Sequence, residues 1–278
     1  MHSKQYIKVA VHGVPRSGTS WIGEILNSSP NTIYRYQPLF SYAHKDYLSN
    51  ASTREDIDSF FEELLHCDDE FTNQVAKRAS GDFPIFKKKQ ITHIVYKEVR
   101  YINILFNLMR RAEDVFLCGV MRNPLSVINS WLLAPKEFRR DLGWSESEEW
   151  RYALKKNLNK PEEFHGYEKW KEAANTFINL KKQYPNRVYI QKYSDMLKNP
   201  LEESKKLFDF CEIEFTNTTV DFLRNSTSCD NTDAYAVFRS RQSDYKWKAE
   251  LLPEISEQIL TDLKGTHFED YVEQSHPL

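Results

Sequence analysis

Residues 11–21 read VHGVPRSGTSW. A β-branched, apolar run from Tyr6 to Val11 precedes them, and apolar spacing at Trp21, Ile22, Ile25 and Leu26 follows, so the stretch joins a strand to a helix. Gly13 and Gly18 stand with four residues between them, the spacing of a loop that wraps a phosphate. Glycine lets the backbone turn tightly enough for successive N–H groups to face one anion. The positive end of the helix starting near Thr19 adds to the same spot. Thr19 occupies the place where ATP- and GTP-binding loops carry the lysine that reaches the β- and γ-phosphates. The cation comes instead from Arg16, inside the loop, with hydroxyls from Ser17, Thr19 and Ser20. This set suits a compact oxyanion held without a metal.

Outward from that loop, strands alternate with helices. Strands are expected at Thr32–Tyr36, Ile91–Tyr96, Asp114–Met121 and Arg187–Tyr193. The third of these, DVFLCGVM, is apolar almost throughout, as a strand covered on both faces requires. Helices are expected over Glu55–Ala79, Asn103–Arg111, Pro124–Trp131, Tyr167–Tyr184, Leu201–Phe210 and Glu250–Leu263, with loop from Thr216 to Asp244. The pattern predicts an α/β fold, a P-loop-like parallel sheet with helices on both faces, in a single domain over residues 1–278. The charged, aromatic stretch 138–164 reads as an insertion or lid.

Bulk properties exclude several classes. With 38 Lys and Arg against 40 Asp and Glu, net charge is −2, so no global attraction to nucleic acid is expected. The four cysteines, Cys67, Cys118, Cys211 and Cys229, form no CxxC pair, which argues for reduced thiols and against a zinc site. No window has the 18 or so apolar residues of a membrane span. The opening MHSKQYIKVAV enters a strand with no signal-peptide pattern, so a cytoplasmic location is expected.

A second stretch, VFLCGVMRNPLSVINSW at 115–131, runs from a strand into Arg122-Asn123-Pro124 and reaches Ser130 eight residues after the arginine. Taken with GVPRSGTSW, it resembles the sulfotransferases that use 3′-phosphoadenosine 5′-phosphosulfate (PAPS) as donor and release adenosine 3′,5′-bisphosphate (PAP). The resemblance implies that Pro15 to Trp21 hold the 5′-phosphosulfate, with Arg16 on its bridging oxygen, and that Arg122 and Ser130 grip the 3′-phosphate. An arginine fork at a strand's carboxyl end, with a hydroxyl two helical turns on, is chemically fit for that role. Two weaker echoes follow. RVYIQKYSDMLKNP resembles the family's strand ending in Tyr-x-Asp-Leu, which implies Tyr193 near the adenine. FRSRQSDYKWKAELLPE resembles its C-terminal loop, implying Ser240 and Arg241 at the 3′-phosphate. VYKEVRYINIL looks closer to the carbohydrate enzymes than to the cytosolic phenol and steroid enzymes, since Lys97-Glu98-Val99-Arg100 has no histidine where the latter carry Lys-Thr-His.

In-line displacement at sulfur also needs a base for the acceptor hydroxyl. Related enzymes commonly place a glutamate after the second strand, but the sequence there is Tyr36-Gln37-Pro38-Leu39, and glutamine takes no proton at neutral pH. Glu98, just past a strand, is the first candidate base; His44 and Asp46 come next, and His12 reads as a core histidine. Lys87–Lys89 and the basic stretch Lys136–Arg140 form candidate rims for an acidic glycan, and Trp144, Trp150, Tyr152, Tyr167 and Trp170 candidate sugar-stacking surfaces. The expected partners are PAPS and a hydroxyl-bearing acceptor, a glycan in the first reading. Two alternatives are a kinase-like nucleotide phosphotransferase, opposed by Thr19, and a non-catalytic nucleotide-binding scaffold, which Gln37 favours.

Overall fold

The computed structural model describes residues 6–228, 237–238 and 244–272. Five strands, β1 (Ile7–His12), β2 (Thr32–Tyr36), β3 (His93–Glu98), β4 (Val115–Met121) and β5 (Val188–Lys192), form one sheet. Its order is β2-β3-β1-β4-β5, and every pairing is parallel. Parallel strands need covering on both faces, and the alternation of side chains provides it. Ala10, Tyr96 and Leu117 join one apolar cluster with Phe60, Leu108, Trp131 and Phe177; Val9, Val11, Val95 and Val120 join the other with Ile22, Leu207 and Phe222. The expected fold class is the observed one.

The topology decides where the site lies. β1 lies between β3 and β4, with His12 opposite Glu98 on one side and Gly119 on the other. All three strands run the same way, so the loop after β1, the end of β3 and Arg122 after β4 emerge side by side at the carboxyl edge. This is where open α/β sheets bind their ligands.

Three sequence expectations change. The 55–79 helix is broken into Arg54–His66, Glu70–Asn73 and Val75–Ala79. Asp69 starts the second piece by accepting from the Thr72 N–H at 2.7 Å, and Gln74 (φ 53°) ends it in the left-handed region. Within the expected 216–244 loop, Asn217–Ser228 is a helix that buries Phe222 and Leu223. β3 extends two residues further than its apolar run, so Lys97 and Glu98 belong to the strand. The 138–164 stretch plants Phe138, Trp150, Ala153 and Phe164 in the core.

Candidate active site

The loop after β1 leads into α1 (Thr19–Asn27). A Cβ at Gly13 would come within 2.8 Å of the Val120 carbonyl oxygen, so the close approach of loop to β4 requires glycine there. Gly18 has φ 91°, and a Cβ there would meet the Tyr193 ring at 2.4 Å. Arg16 also lies in the left-handed region, at φ 72°. For a residue with a Cβ that conformation costs roughly 1–2 kcal/mol, which marks a position where the guanidinium itself is wanted.

Ser17 braces the loop from within. It is fully buried, its hydroxyl donates to the Val14 carbonyl at 2.6 Å, and its N–H donates to the same oxygen at 3.2 Å. Among the described residues, the amides of Gly18, Thr19 and Ser20 find no acceptor. These are the open donors of a helix start, turned toward the cleft.

Arg122 closes the arrangement. One of its guanidinium nitrogens donates to the Arg16 carbonyl at 2.7 Å, and the Arg16 Nε donates to the Ser130 hydroxyl at 3.1 Å. The two stretches that carry the family resemblance therefore touch. Arg122 also holds Asp244 through a two-nitrogen contact, with Nε at 2.9 and 3.1 Å from the carboxylate oxygens. Its guanidinium lies 5.0 Å from the centre of the Tyr193 ring, which packs edge-on against Trp21. Trp21 is fixed from behind, its indole N–H donating to the Ser226 hydroxyl at 3.0 Å. A cleft of about 1010 Å³ is lined by Pro15, Arg16, Gly18, Thr19, Ser20 and Trp21, together with Arg122, Ser130 and Tyr193. Ser240 and Arg241 lie outside the described residues.

The expected bases fare differently. Glu98 is fully buried and absent from the cleft wall; its Oε1 accepts the Leu39 N–H at 2.8 Å. The reason is the longer β3: as the last strand residue, Glu98 faces away from the side that Lys97 presents to the cleft. Burial pushes its carboxyl up, against the pull of Lys97 and Arg100. Glu98 thus fixes the turn after β2. His44 is buried against Tyr47 and Phe60, and Asp46 accepts from the Tyr101 hydroxyl, both off the cleft wall. His12 is a core histidine, 3.1 Å from the Tyr96 hydroxyl.

The acceptor surfaces are also redrawn. Trp150, Tyr167 and Trp170 are core residues, and Arg139 and Arg140 pair with Asp141 and Glu146 on the surface. Lys88 secures the end of α1, donating to the Asn27 Oδ1 at 2.8 Å. The aromatics at the cleft are instead Phe40 and Phe71, 43% and 39% exposed and packed edge-on, with the Arg100 guanidinium 3.9 Å above Phe40.

Lys97 is the functional candidate that the sequence reading passed over. It is 1% exposed yet lines the cleft, and its ammonium lies 3.9 Å over the Tyr36 ring. Burial pushes its pKa down, opposed by Glu98 and Glu137. The strand expected from the apolar run ends at Tyr96, one residue short of it. Glu137 and His165 were missed as well: Glu137 lies 3.3 Å from Arg16 and 3.5 Å from the His165 Nε2. No sequence spacing joins the two.

Comparison with known proteins matches the chain to one family. A sequence model described as the sulfotransferase domain covers residues 7–265. Comparison with curated protein sequences finds no significant match. Among solved structures, mouse sulfotransferase SULT7A1 complexed with PAP aligns at TM-score 0.56 and 13% identity, over 97% of this chain and 88% of that one. The sulfotransferase domain from the curacin biosynthetic pathway aligns at 0.53 and 16%, over 94% and 98%. Retinol dehydratase in complex with androsterone and inactive cofactor PAP aligns at 0.52 and 14%, over 95% and 82%. Identities this low speak for the shared fold.

Proposed function

The chain belongs to the sulfotransferase domain family, and from that premise we propose that this PAPS-dependent sulfotransferase delivers its sulfuryl group to a hydroxyl of a carbohydrate or glycoconjugate. The observation that carries the donor side is the Arg122–Arg16–Ser130 contact, two hydrogen bonds of 2.7 and 3.1 Å joining the loop after β1 to the end of β4. One nucleotide lying along the cleft can reach both arginines, its 5′-phosphosulfate at Arg16 and its 3′-phosphate at Arg122. Tyr193 lies between Gly18 and Arg122, where an adenosine would cross. The amides of Gly18, Thr19 and Ser20 supply donors at the helix's positive end.

Transfer follows from charge. The acceptor oxygen attacks sulfur, the bond from sulfur to the bridging oxygen breaks, and that oxygen leaves with the electron pair as part of PAP. Negative charge grows there, so a fixed Arg16 stabilises the transition state more than the ground state. Lys97, buried and turned into the same cleft, is suited to the sulfuryl oxygens. A dry, low-dielectric setting makes both cations stronger than they would be in water.

The acceptor reading rests on the outer cleft. Exposed Phe40 and Phe71 offer an apolar surface, and Lys77, Arg100, Lys156 and Gln37 line the same cleft with charge and hydrogen-bonding groups. That mixture fits a polyhydroxylated, acidic ring better than a purely apolar alcohol. The 138–164 stretch contributes Lys156 and is assigned to the acceptor side. Cys67, Cys118 and Cys211 are free thiols, which supports work in a reducing, cytoplasmic setting.

The experiment is transfer from ³⁵S-labelled PAPS to a panel of glycans, lipids and small alcohols, with Arg16→Ala as control. Glycan labelling is expected. Arg16→Ala should keep the fold and lose about 10²–10³ in kcat, roughly 3–4 kcal/mol. Labelling confined to apolar alcohols refutes the carbohydrate reading, and an active Arg16→Ala removes Arg16 from the mechanism.

A further inference from the structure

Gln37 cannot take the acceptor's proton and Glu98 does not reach the cleft, so the reaction lacks a base in both expected places. The cleft wall carries five acidic residues: Asp69, Glu70, Glu137, Asp244 and Glu250. Asp244 is committed to Arg122, Glu250 accepts from the Asn129 amide at 2.6 Å, and Asp69 caps the helix at Thr72. Glu70 is exposed at the mouth beside Phe71. Glu137 alone of the five is in contact with Arg16, its Oε1 accepting from the guanidinium at 3.3 Å. In-line attack sets the acceptor oxygen about 3–3.5 Å from sulfur, opposite the bridging oxygen that Arg16 serves. A base for that oxygen must therefore stand in the same cleft as Arg16, within hydrogen-bond reach of the acceptor.

We propose that Glu137 is the base of this enzyme, taking the acceptor's hydroxyl proton, with His165 as the residue that positions its carboxylate. The inference rests on the sulfuryl-transfer reading above. Glu137 is held by a turn following the helix Pro124–Leu132: its N–H and that of Phe138 donate to the Ala134 carbonyl at 2.9 and 2.8 Å. Phe138 anchors that turn, buried edge-on against Trp131 with centroids 5.4 Å apart. His165 also packs against Trp131, with centroids 5.5 Å apart. Its Nε2 lies 3.5 Å from the Glu137 Oε2, and its Nδ1 lies 3.6 Å from Glu163, which in turn holds Arg100 at 3.0 Å.

The proton balance is complete. As the acceptor oxygen bonds to sulfur, its proton passes to the Glu137 Oε1; the bridging oxygen departs on PAP with its electron pair, and no oxidant or further reactant is needed. Donor binding draws Arg16 toward the phosphosulfate and leaves Oε1 open, while His165 keeps Oε2 directed. The groups facing Glu137 are Arg16 from the loop, Lys97 from β3, Lys156 from the helix Leu154–Asn157, and His165 from the segment between that helix and Tyr167–Gln183. Burial raises the Glu137 carboxyl, but the nearby His165 imidazole and the charges of Arg16 and Lys156 outweigh it and hold it at about 2. Loss of Arg16's grip on donor binding moves it upward, toward a better base.

The test compares wild type, Glu137→Gln, His165→Leu and His165→Gln. It measures kcat and KM against pH with the best acceptor of the panel, and PAP affinity by calorimetry. Glu137→Gln is expected to lose at least about 10²-fold in kcat, within the range of general-base contributions, with PAP bound as well or better. His165→Leu is expected to lower kcat and shift the acid limb of its pH profile upward, because a partner that favours the carboxylate is gone. His165→Gln, which keeps an N–H donor, should recover much of the rate. A Glu137→Gln variant within threefold of wild type overturns the assignment, as does a loss matched by equally weakened PAP binding. An unmoved acid limb in His165→Leu removes His165 from it. A wild type that labels no hydroxyl acceptor at all overturns the underlying transfer reading and this inference with it.

Discussion

Replacing Asp244 by alanine separates two roles that this carboxylate plays at Arg122. Asp244 is 7% exposed and Arg122 19%; the carboxylate faces the fork squarely, and the Ser126 hydroxyl holds the Asp244 backbone carbonyl at 2.6 Å. A 3′-phosphate can take the same fork only by moving Asp244 aside. Hydrogen bonds to charged groups are worth about 1.5–3 kcal/mol each. Without ligand, Asp244→Ala leaves a largely buried guanidinium without its carboxylate partner and should cost about 2 kcal/mol. At about 2–4 °C per kcal/mol, Tm falls by about 4–8 °C. Removing the competitor should tighten PAP by the 1.5–3 kcal/mol otherwise spent on displacement, about 10- to 150-fold in Kd. The two effects have opposite signs, which makes the pair diagnostic. Thermal melts with and without PAP, together with calorimetric Kd values, read both. A variant that melts earlier but binds PAP no better than wild type refutes the idea that phosphate and Asp244 compete for Arg122.

Further outcomes follow from the same geometry. Lys97→Met should lower kcat by about 10²–10³ while changing PAP affinity less than about threefold, because its charge acts where the sulfuryl group passes rather than on the nucleotide; an equal loss of PAP binding would assign it to the donor instead. PAP at about 100 times its Kd should raise stability by roughly 2.7 kcal/mol, and ATP with magnesium far less, as melting curves will register. Lys88 gives a pH signature away from the site. Burial, partly offset by Glu24, lowers its pKa from 10.5 to about 7. Between those values the unfolded chain binds more protons than the folded one, so this group makes stability rise with pH through that window. Urea unfolding at pH 7 and pH 9 should show a smaller rise in Lys88→Met than in wild type.

The two phosphate-directed stretches were legible because their chemistry is local. Glycine spacing, a helix start and an arginine at a strand's end lie within a few residues of one another, and short-range order carries that information. Their convergence was not written locally, yet it follows from topology, since β1 and β4 are neighbours running in one direction. What sequence hid was burial that overrides residue type. Lys97 and Glu98 read as the end of a strand because charges rarely enter a sheet; their neighbours bury both, and alternation then sends one into the cleft and the other beneath it. The helix Asn217–Ser228 was hidden by poor helix formers, its order coming from Phe222 and Leu223 packed on the sheet's far side. Asp69 was a readable cap, outweighed by the apolar spacing before it.

Glu137 and His165 are the harder case. They stand 28 positions apart, and Phe138, Trp131 and Phe164, not a motif, bring them together. A base of this kind belongs to the packing of one wall, whereas the phosphate grips belong to the sheet. On the proposed assignment, the donor grips and the proton acceptor come from different parts of the fold. The same division explains why donor chemistry is strongly written in this chain and acceptor chemistry weakly: the first is imposed by strand order, the second by side chains from loops that need only meet at the same sulfur.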